Sequence, residues 1–328
     1  MNTKVLIQIF NSMAPVFFLI YLGWFAVHKK LVDKSAKKVC STLVTDFVFP
    51  ALLFTETYKA KLSQVFNGTW MLAFTLAMCS MWLIGFATNK FMLKKDLRQS
   101  AMQAMLCSFP NMGGMGIPFL ALLIGASSAI SVAVANVIVA ITIIPGTLFL
   151  IELGGTVTSG PAGARSALQI IGAALLQSLK KPMVAAVLVG LFFSVTGLSA
   201  VLPKFAVSSL DIVAKSCNFV SLFAVGVALY GTKLSMSKSL SANMVLKCLL
   251  NPAIVWALVM LFGLTGTSAE EMIFLLAMPT ATTAAILAYQ WNIQEAEASS
   301  IYLASTALSV ITLPVLLILM QTHIPGVH

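Results

Sequence analysis

The sequence predicts an all-α integral membrane protein: ten transmembrane helices forming two inverted five-helix repeats, with helices 4 and 9 broken where they cross. Three observations carry this expectation. Hydrophobic residues make up 59% of the 328-residue chain and charged residues 9%, at a mean hydropathy of +0.97, where soluble domains carry about 25% charged residues. Apolar runs close to the ~20 residues that cross a bilayer fall near 5–27, 39–57, 69–92, 100–123, 127–151, 182–202, 205–231, 241–265, 270–290 and 297–321. The fourth run is interrupted by Pro110, Asn111, Gly113, Gly114, Gly116 and Pro118.

Taken in order, the first run follows a single lysine, Lys4, with no small-residue cleavage site before the next basic loop. It reads as a retained span and not as a signal peptide. The second carries Asp46, and the third is uninterrupted. The fourth cannot be one straight helix. Proline removes a backbone donor and clashes with the preceding turn, and each glycine weakens a helix by about 1 kcal/mol relative to alanine. Unpaired backbone in lipid costs several kcal/mol per group, so this break must face protein or a water-filled cavity. The fifth run contains Asn136 and Pro145. Between the fifth and sixth lies the longest hydrophilic piece, 152–181, where Leu168, Ile171, Leu175 and Leu179 share one helical face; an interfacial helix is expected there. The ninth run carries Pro279, Thr280, Thr282 and Thr283 and is expected to break like the fourth.

An internal repeat organises these runs. Pro110 recurs as Pro279 and Pro145 as Pro314, both 169 residues on, and Asp46-Phe47-Val48 resembles Asn218-Phe219-Val220 at 172. The chain divides into a first five-helix repeat at 1–155, a cytoplasmic loop with the interfacial helix at 156–181, and a second repeat at 182–328. An odd number of spans per repeat inverts the second copy. The basic residues set the orientation. Lys29, Lys30, Lys34, Lys37, Lys38, Lys90, Lys94, Lys95, Arg98, Arg165, Lys180, Lys181, Lys233 and Lys238 follow odd-numbered spans, whereas Lys4, Lys59, Lys61 and Lys204 lie on the other side. The positive-inside rule then places both termini outside the cytoplasm of a plasma or bacterial inner membrane. The net charge of +10 is a set of juxtamembrane flanks, which argues against a nucleic-acid partner.

Two broken helices meeting at one point bring two helix amino termini together, each worth roughly half a positive charge. Such a point favours an anion. Pro110, Asn111, Gly113, Gly114, Met115, Gly116, Pro279, Thr280, Thr282 and Thr283 are therefore the candidate substrate-binding residues, with Asn136 beside them. The threonines serve equally well as helix caps, and the glycines as close-packing positions. Charged residues within spans cost about 2.5–3.5 kcal/mol at a helix centre, which makes each a functional candidate. Lys247 either offsets a substrate carboxylate or snorkels to the cytoplasmic interface. Asp46, Asp211 and Lys215 are candidates for ion or proton coupling, although Asp211 and Lys215, four residues apart, also suit an ion pair. Cys40, Cys79, Cys107, Cys217 and Cys248 show no paired spacing, and His28, His323 and His328 stand near no ligand set; neither metal nor cofactor is expected. No hydrolase elbow or phosphate-binding lysine loop occurs, so an enzyme is not expected.

Pro110-Asn111 with Met115-Gly116-Ile117-Pro118, Val48-Phe49-Pro50-Ala51-Leu52-Leu53-Phe54, Lys247 with Pro252, and Pro279 with Ala288, Trp291, Asn292 and Ile293 together resemble the auxin efflux carrier family over essentially the whole chain. The long cytoplasmic loop of many plant members is missing, which brings the chain nearer to the bacterial malate and malonate permeases. The resemblance implies a scaffold domain from helices 1, 2, 6 and 7, a transport domain from helices 3–5 and 8–10, an elevator-type motion and a homodimer. The expected function is secondary active transport of a small organic anion, a dicarboxylate such as malate or malonate, driven by protons, sodium or voltage. A carrier of auxin-like or bile-acid-like acids is the alternative within transport, and a non-transporting ligand sensor the alternative outside it.

Overall fold

A computed structural model of the chain describes residues 3–33, 35–59, 68–116, 119–120, 123–125, 128–159, 176, 179–180, 182–197, 202–231 and 236–324. Pro118 and most of the expected interfacial segment, including Leu168, Ile171 and Leu175, lie outside the described residues. The helices run in order: α1 (Thr3–His28), α2 (Ala36–Leu43), α3 (Phe49–Lys59), α4 (Gly68–Ala87), α5 (Leu97–Ser108), α6 (Ser128–Ile141), α7 (Ile143–Ser159), α8 (Pro182–Thr196), α9 (Lys204–Lys215), α10 (Cys217–Leu229), α11 (Lys238–Val245), α12 (Asn251–Leu261), α13 (Gly266–Ala277), α14 (Thr282–Gln290) and α15 (Glu295–His323). No strand occurs among the described residues. Six helical stretches are long and apolar enough to cross a membrane: Ala36–Lys59, Gly68–Met92, Val134–Gly155, Lys204–Leu229, Lys238–Leu261 and Glu295–His323.

Local sequence accounts for the ends of these helices. Asp96 accepts the Gln99 N–H at 2.8 Å and starts α5, and Ser237 accepts the Leu240 N–H at 3.0 Å and starts α11, which satisfies donors that a first turn leaves open. Gly263, at φ 62°, ends the α12 stretch in a left-handed conformation that glycine adopts without steric cost. Glu295 and Glu297 fall in the first turn of α15, where negative charge meets the positive helix end. Widened π turns interrupt the long stretches at Val44–Val48 and Leu246–Leu250 and end one at Thr88–Met92, and the first of them holds Asp46.

Two close helix pairings depend on glycine. α1 lies on α10, where a methyl group at Gly23 would overlap the Phe223 carbonyl and one at Gly226 the Ile20 carbonyl. α8 lies on α3, where a methyl group at Gly190 would overlap the Thr57 hydroxyl and crowd the Phe54 carbonyl. Without an aqueous hydrophobic driving force in lipid, such backbone approach is what holds helices together.

A second set of contacts is polar and buried. Lys95 donates to the Glu297 carboxylate and to Ser239, each at 2.6 Å. Gln103 donates to Glu297 at 3.0 Å and to Gln294 at 2.9 Å, while Asn243 donates to Gln103 and accepts from Asn89 at 3.2 Å. This network ties the end of the α4 stretch, α5, α11 and α15 into one body. Asp211 does not pair with Lys215; both of its oxygens accept from Lys59 at 2.6 Å. α9 packs along α3, which brings Lys59 to Asp211, while Lys215 stays exposed at the helix end.

Gly226→Ala is expected to force α1 and α10 apart at a cost of about 1–3 kcal/mol, read as a lower thermal midpoint in detergent. Gly146→Ala, where an added Cβ meets nothing within 4 Å, is expected to leave the midpoint unchanged or raise it. Lys95→Met strands the buried Glu297 carboxylate and is expected to cost about 3–5 kcal/mol in the same measurement.

Candidate functional site

The two proline-marked interruptions meet. Proline pushes the residue before it into extended backbone; Phe109 accordingly sits at φ −83°, ψ 105° and Met278 at φ −53°, ψ 146°, ending α5 and α13. The extended pieces run antiparallel with Pro110 opposite Thr280. Asn111 N–H donates to the Pro279 carbonyl at 2.8 Å, and Ala281 N–H donates to the Phe109 carbonyl at 2.9 Å. Side chains satisfy the helix ends that remain. The Thr280 hydroxyl donates to the Leu106 carbonyl at 2.9 Å, Asn251 donates to the Leu276 carbonyl at 2.6 Å, and Ser305 accepts the Thr280 N–H at 3.1 Å.

Beside the crossing lies a cleft of about 530 Å³ including the space at its mouth. Asn111, Thr282 and Thr283 line it from the crossing, Asn136 from α6, Asn218 and Ser221 from α10, and Glu56 from α3. Thr282 and Thr283 open α14, and their N–H groups, unlike that of Ala284, which bonds the Ala281 carbonyl at 3.1 Å, have no partner within the helix. The Asn111 amide donates to the Thr282 hydroxyl at 3.4 Å, Thr282 donates to the Tyr302 hydroxyl at 3.5 Å, and Asn218 donates to the Gly113 carbonyl at 3.4 Å. A helix amino terminus, amides and hydroxyls therefore converge on one space, the chemistry that holds a carboxylate. Among the described lining residues there is no lysine or arginine.

Of the residues expected at the site, Pro110, Asn111, Gly113, Asn136, Thr282 and Thr283 line the cleft. Gly114 falls in the π turn Met112–Gly116 that follows the crossing. Met115 is buried in the core, and Gly116 packs on Leu275. Pro279 and Thr280 build the crossing itself, and the Thr280 side chain is fully buried. Lys247 neither reaches the cleft nor snorkels. It is 2% exposed on the π turn Leu246–Leu250, close to Cys107 and Cys248, and its Nζ has no hydrogen-bond partner. Asp46 accepts from its neighbour Thr45 at 3.1 Å, away from the cleft. Asp211 and Lys215 also lie outside its lining.

Glu56 is the residue that the reading of charges within spans missed. It stands three residues before Lys59, at the end of an apolar run, where a carboxylate reads as part of the following loop. The signal was its spacing: Phe49, Leu52, Leu53 and Glu56 recur at helical intervals of three, one and three and share one face. That face forms a wall of the cleft. The Glu56 carboxylate accepts a hydrogen bond from Asn136, and its Oε2 is sheltered from solvent with no partner.

Comparison with known proteins identifies the family. A family model described as "Membrane transport protein" matches residues 8–317. The chain is 23% identical over 308 residues to the "Uncharacterized transporter YfdV" of Escherichia coli (strain K12), covering 93% of this chain and 95% of that protein. It is also 23% identical over 327 residues to the "Putative malonate transporter" of Rhizobium meliloti (strain 1021), covering 96% and 97%. Members of the family are transporters and not enzymes. A match over residues 8–317, together with six helical stretches able to cross a membrane, makes this chain a multi-pass member of the membrane transport protein family, to which the auxin efflux carriers belong.

Proposed function

We propose that the chain is a secondary active transporter of a small dicarboxylate such as malonate or malate, bound in the crossover cleft and moved by alternating access. The observation that carries this reading is the convergence of the α14 amino terminus, the Asn111 amide and the Thr282 and Thr283 side chains on one cleft. A relative described as a "Putative malonate transporter", matched over 97% of its length, supports the same substrate class.

The proposal includes ten spans in two inverted repeats, with both termini outside the cytoplasm. Its support is the equivalence of contacts across the chain. Phe54 and Thr57, which meet Gly190, stand 169 residues before Phe223 and Gly226, which meet Gly23. The crossing is symmetric as well, since Asn111 bonds Pro279 as Ala281 bonds Phe109 at an offset of 170. The glycine-packed pairs α1–α10 and α3–α8 then form a scaffold. The body joined by the Lys95–Glu297 network carries the crossing and slides against it, elevator fashion, within a homodimer. The apolar wall of Phe49, Leu52, Leu53 and Val139 favours a second reading, an amphipathic acid with its carboxylate at the crossing and its tail on that wall.

Purified protein in liposomes, given labelled malonate, malate, succinate and indole-acetate at fixed voltage, tests the function. Saturable uptake of a dicarboxylate is expected; indole-acetate uptake alone favours the second reading, and uptake of none contradicts both. Thr282→Val removes a hydroxyl from the anion site and is expected to weaken malonate binding about tenfold to a hundredfold, the loss of one hydrogen bond to a charged group. Lys247→Met is expected to bind malonate with wild-type affinity, because the ammonium does not line the cleft.

A further inference from the structure

We infer that Glu56 is the proton-coupling group of the carrier, whose carboxyl binds one proton before a carboxylate substrate can occupy the cleft. The inference rests on the carboxylate reading of the cleft and adds what drives it. Glu56 shares the cleft with the Asn111, Thr282 and Thr283 anion site, and one of its oxygens is buried without a partner. A buried carboxylate needs a hydrogen-bonded cation or a proton, and a second anion in the same cleft sharpens that need.

The groups around Glu56 leave the proton as the candidate. Lys59, one turn further along α3, is near enough to act on Glu56 through its charge, but its ammonium is hydrogen-bonded to both oxygens of Asp211, on α9, and not to Glu56. Asp46, in the π turn before α3, is bonded to Thr45. Cys217 on α10 lines the cleft as a buried free thiol, and α6 and α8 present no titratable side chain among their described residues. Among the described residues no group of three or more acidic, histidine or cysteine side chains stands ready to hold a metal ion. A metal cation would thus meet a single carboxylate, whereas a proton needs one oxygen.

The cycle balances simply. A proton from water on the loading side forms an O–H bond on Glu56, and the neutral acid turns from a repelling charge into a hydrogen-bond donor. The dicarboxylate then binds. When the cleft faces the opposite side, substrate leaves and the proton returns to water there, so one proton moves with each substrate. The bond from Asn136 is charge-assisted only in the deprotonated state, when it is roughly twice as strong. It therefore holds α3 to α6 while the carrier is unloaded.

The test uses the full-length chain and labelled malonate between pH 6.5 and 8.5, where malonate stays predominantly the dianion. Wild-type affinity is expected to fall with rising pH, by up to about tenfold per unit for one linked proton. Glu56→Gln, the isostere of the protonated acid, is expected to bind with the low-pH affinity throughout the range. Malonate uptake into vesicles loaded with a pH dye is expected to acidify the lumen with the wild type and not with the variant. An equal pH slope in the two proteins overturns the inference. So does wild-type uptake that moves no proton or follows a sodium gradient instead, a readout that stands even if the variant fails to fold. Absence of any malonate, malate, succinate or indole-acetate binding by the wild type overturns the substrate reading and this inference with it, which separates the two failures.

Discussion

Two backbone hydrogen bonds, from Asn111 to Pro279 and from Ala281 to Phe109, are the constraint on which the site depends. Breaking a helix inside a membrane leaves donors and acceptors open, and lipid offers no water to satisfy them. Here two breaks satisfy each other. Proline supplies the extended backbone on both sides, Thr280 and Asn251 take up carbonyls left by α5 and α13, and Ser305 receives the Thr280 N–H. With the backbone paired at this point, α14 can begin in the interior with Thr282 and Thr283 lining the cleft.

Under the proposed anion reading the electrostatics of that cleft are unusual, because its positive potential comes from a helix end and amide dipoles while its one described charged side chain is an acid. Oriented dipoles in a low-dielectric site hold an anion without the cost of burying an unpaired cation in the empty carrier. On the inference drawn above, Glu56 makes the cleft's affinity depend on its charge state. Elsewhere Lys95 and Glu297 form a buried ion pair. Lys247, by contrast, is a buried ammonium with no hydrogen-bond partner among the described residues, outside the lining of the cleft.

Much of this arrangement was legible in the residues themselves. Pro110 and Pro279 marked both breaks, because few other residues remove a donor and fix the preceding backbone. Thr282 and Thr283 marked the start of a helix, and Asn136 was found through its place in the repeat. Side-chain reach was not legible. Lys247 looked like a substrate ligand from its place in a span, yet the π turn that carries it faces Cys107, not the cleft. Asp211 and Lys215 stood at ion-pair spacing along one helix, but packing of α9 on α3 offered Lys59 instead. Glu56 was hidden by the lysines that follow it, since position at the end of a run does not tell whether a side chain points back into the protein.

The most direct measurement is a structure of the protein with malonate bound. One malonate carboxylate is expected in the crossover cleft, its oxygens about 2.7–3.2 Å from the Asn111 amide and the Thr282 and Thr283 N–H groups. Malonate bound at another place, or a cation in its stead beside Thr282 and Thr283, would contradict the account.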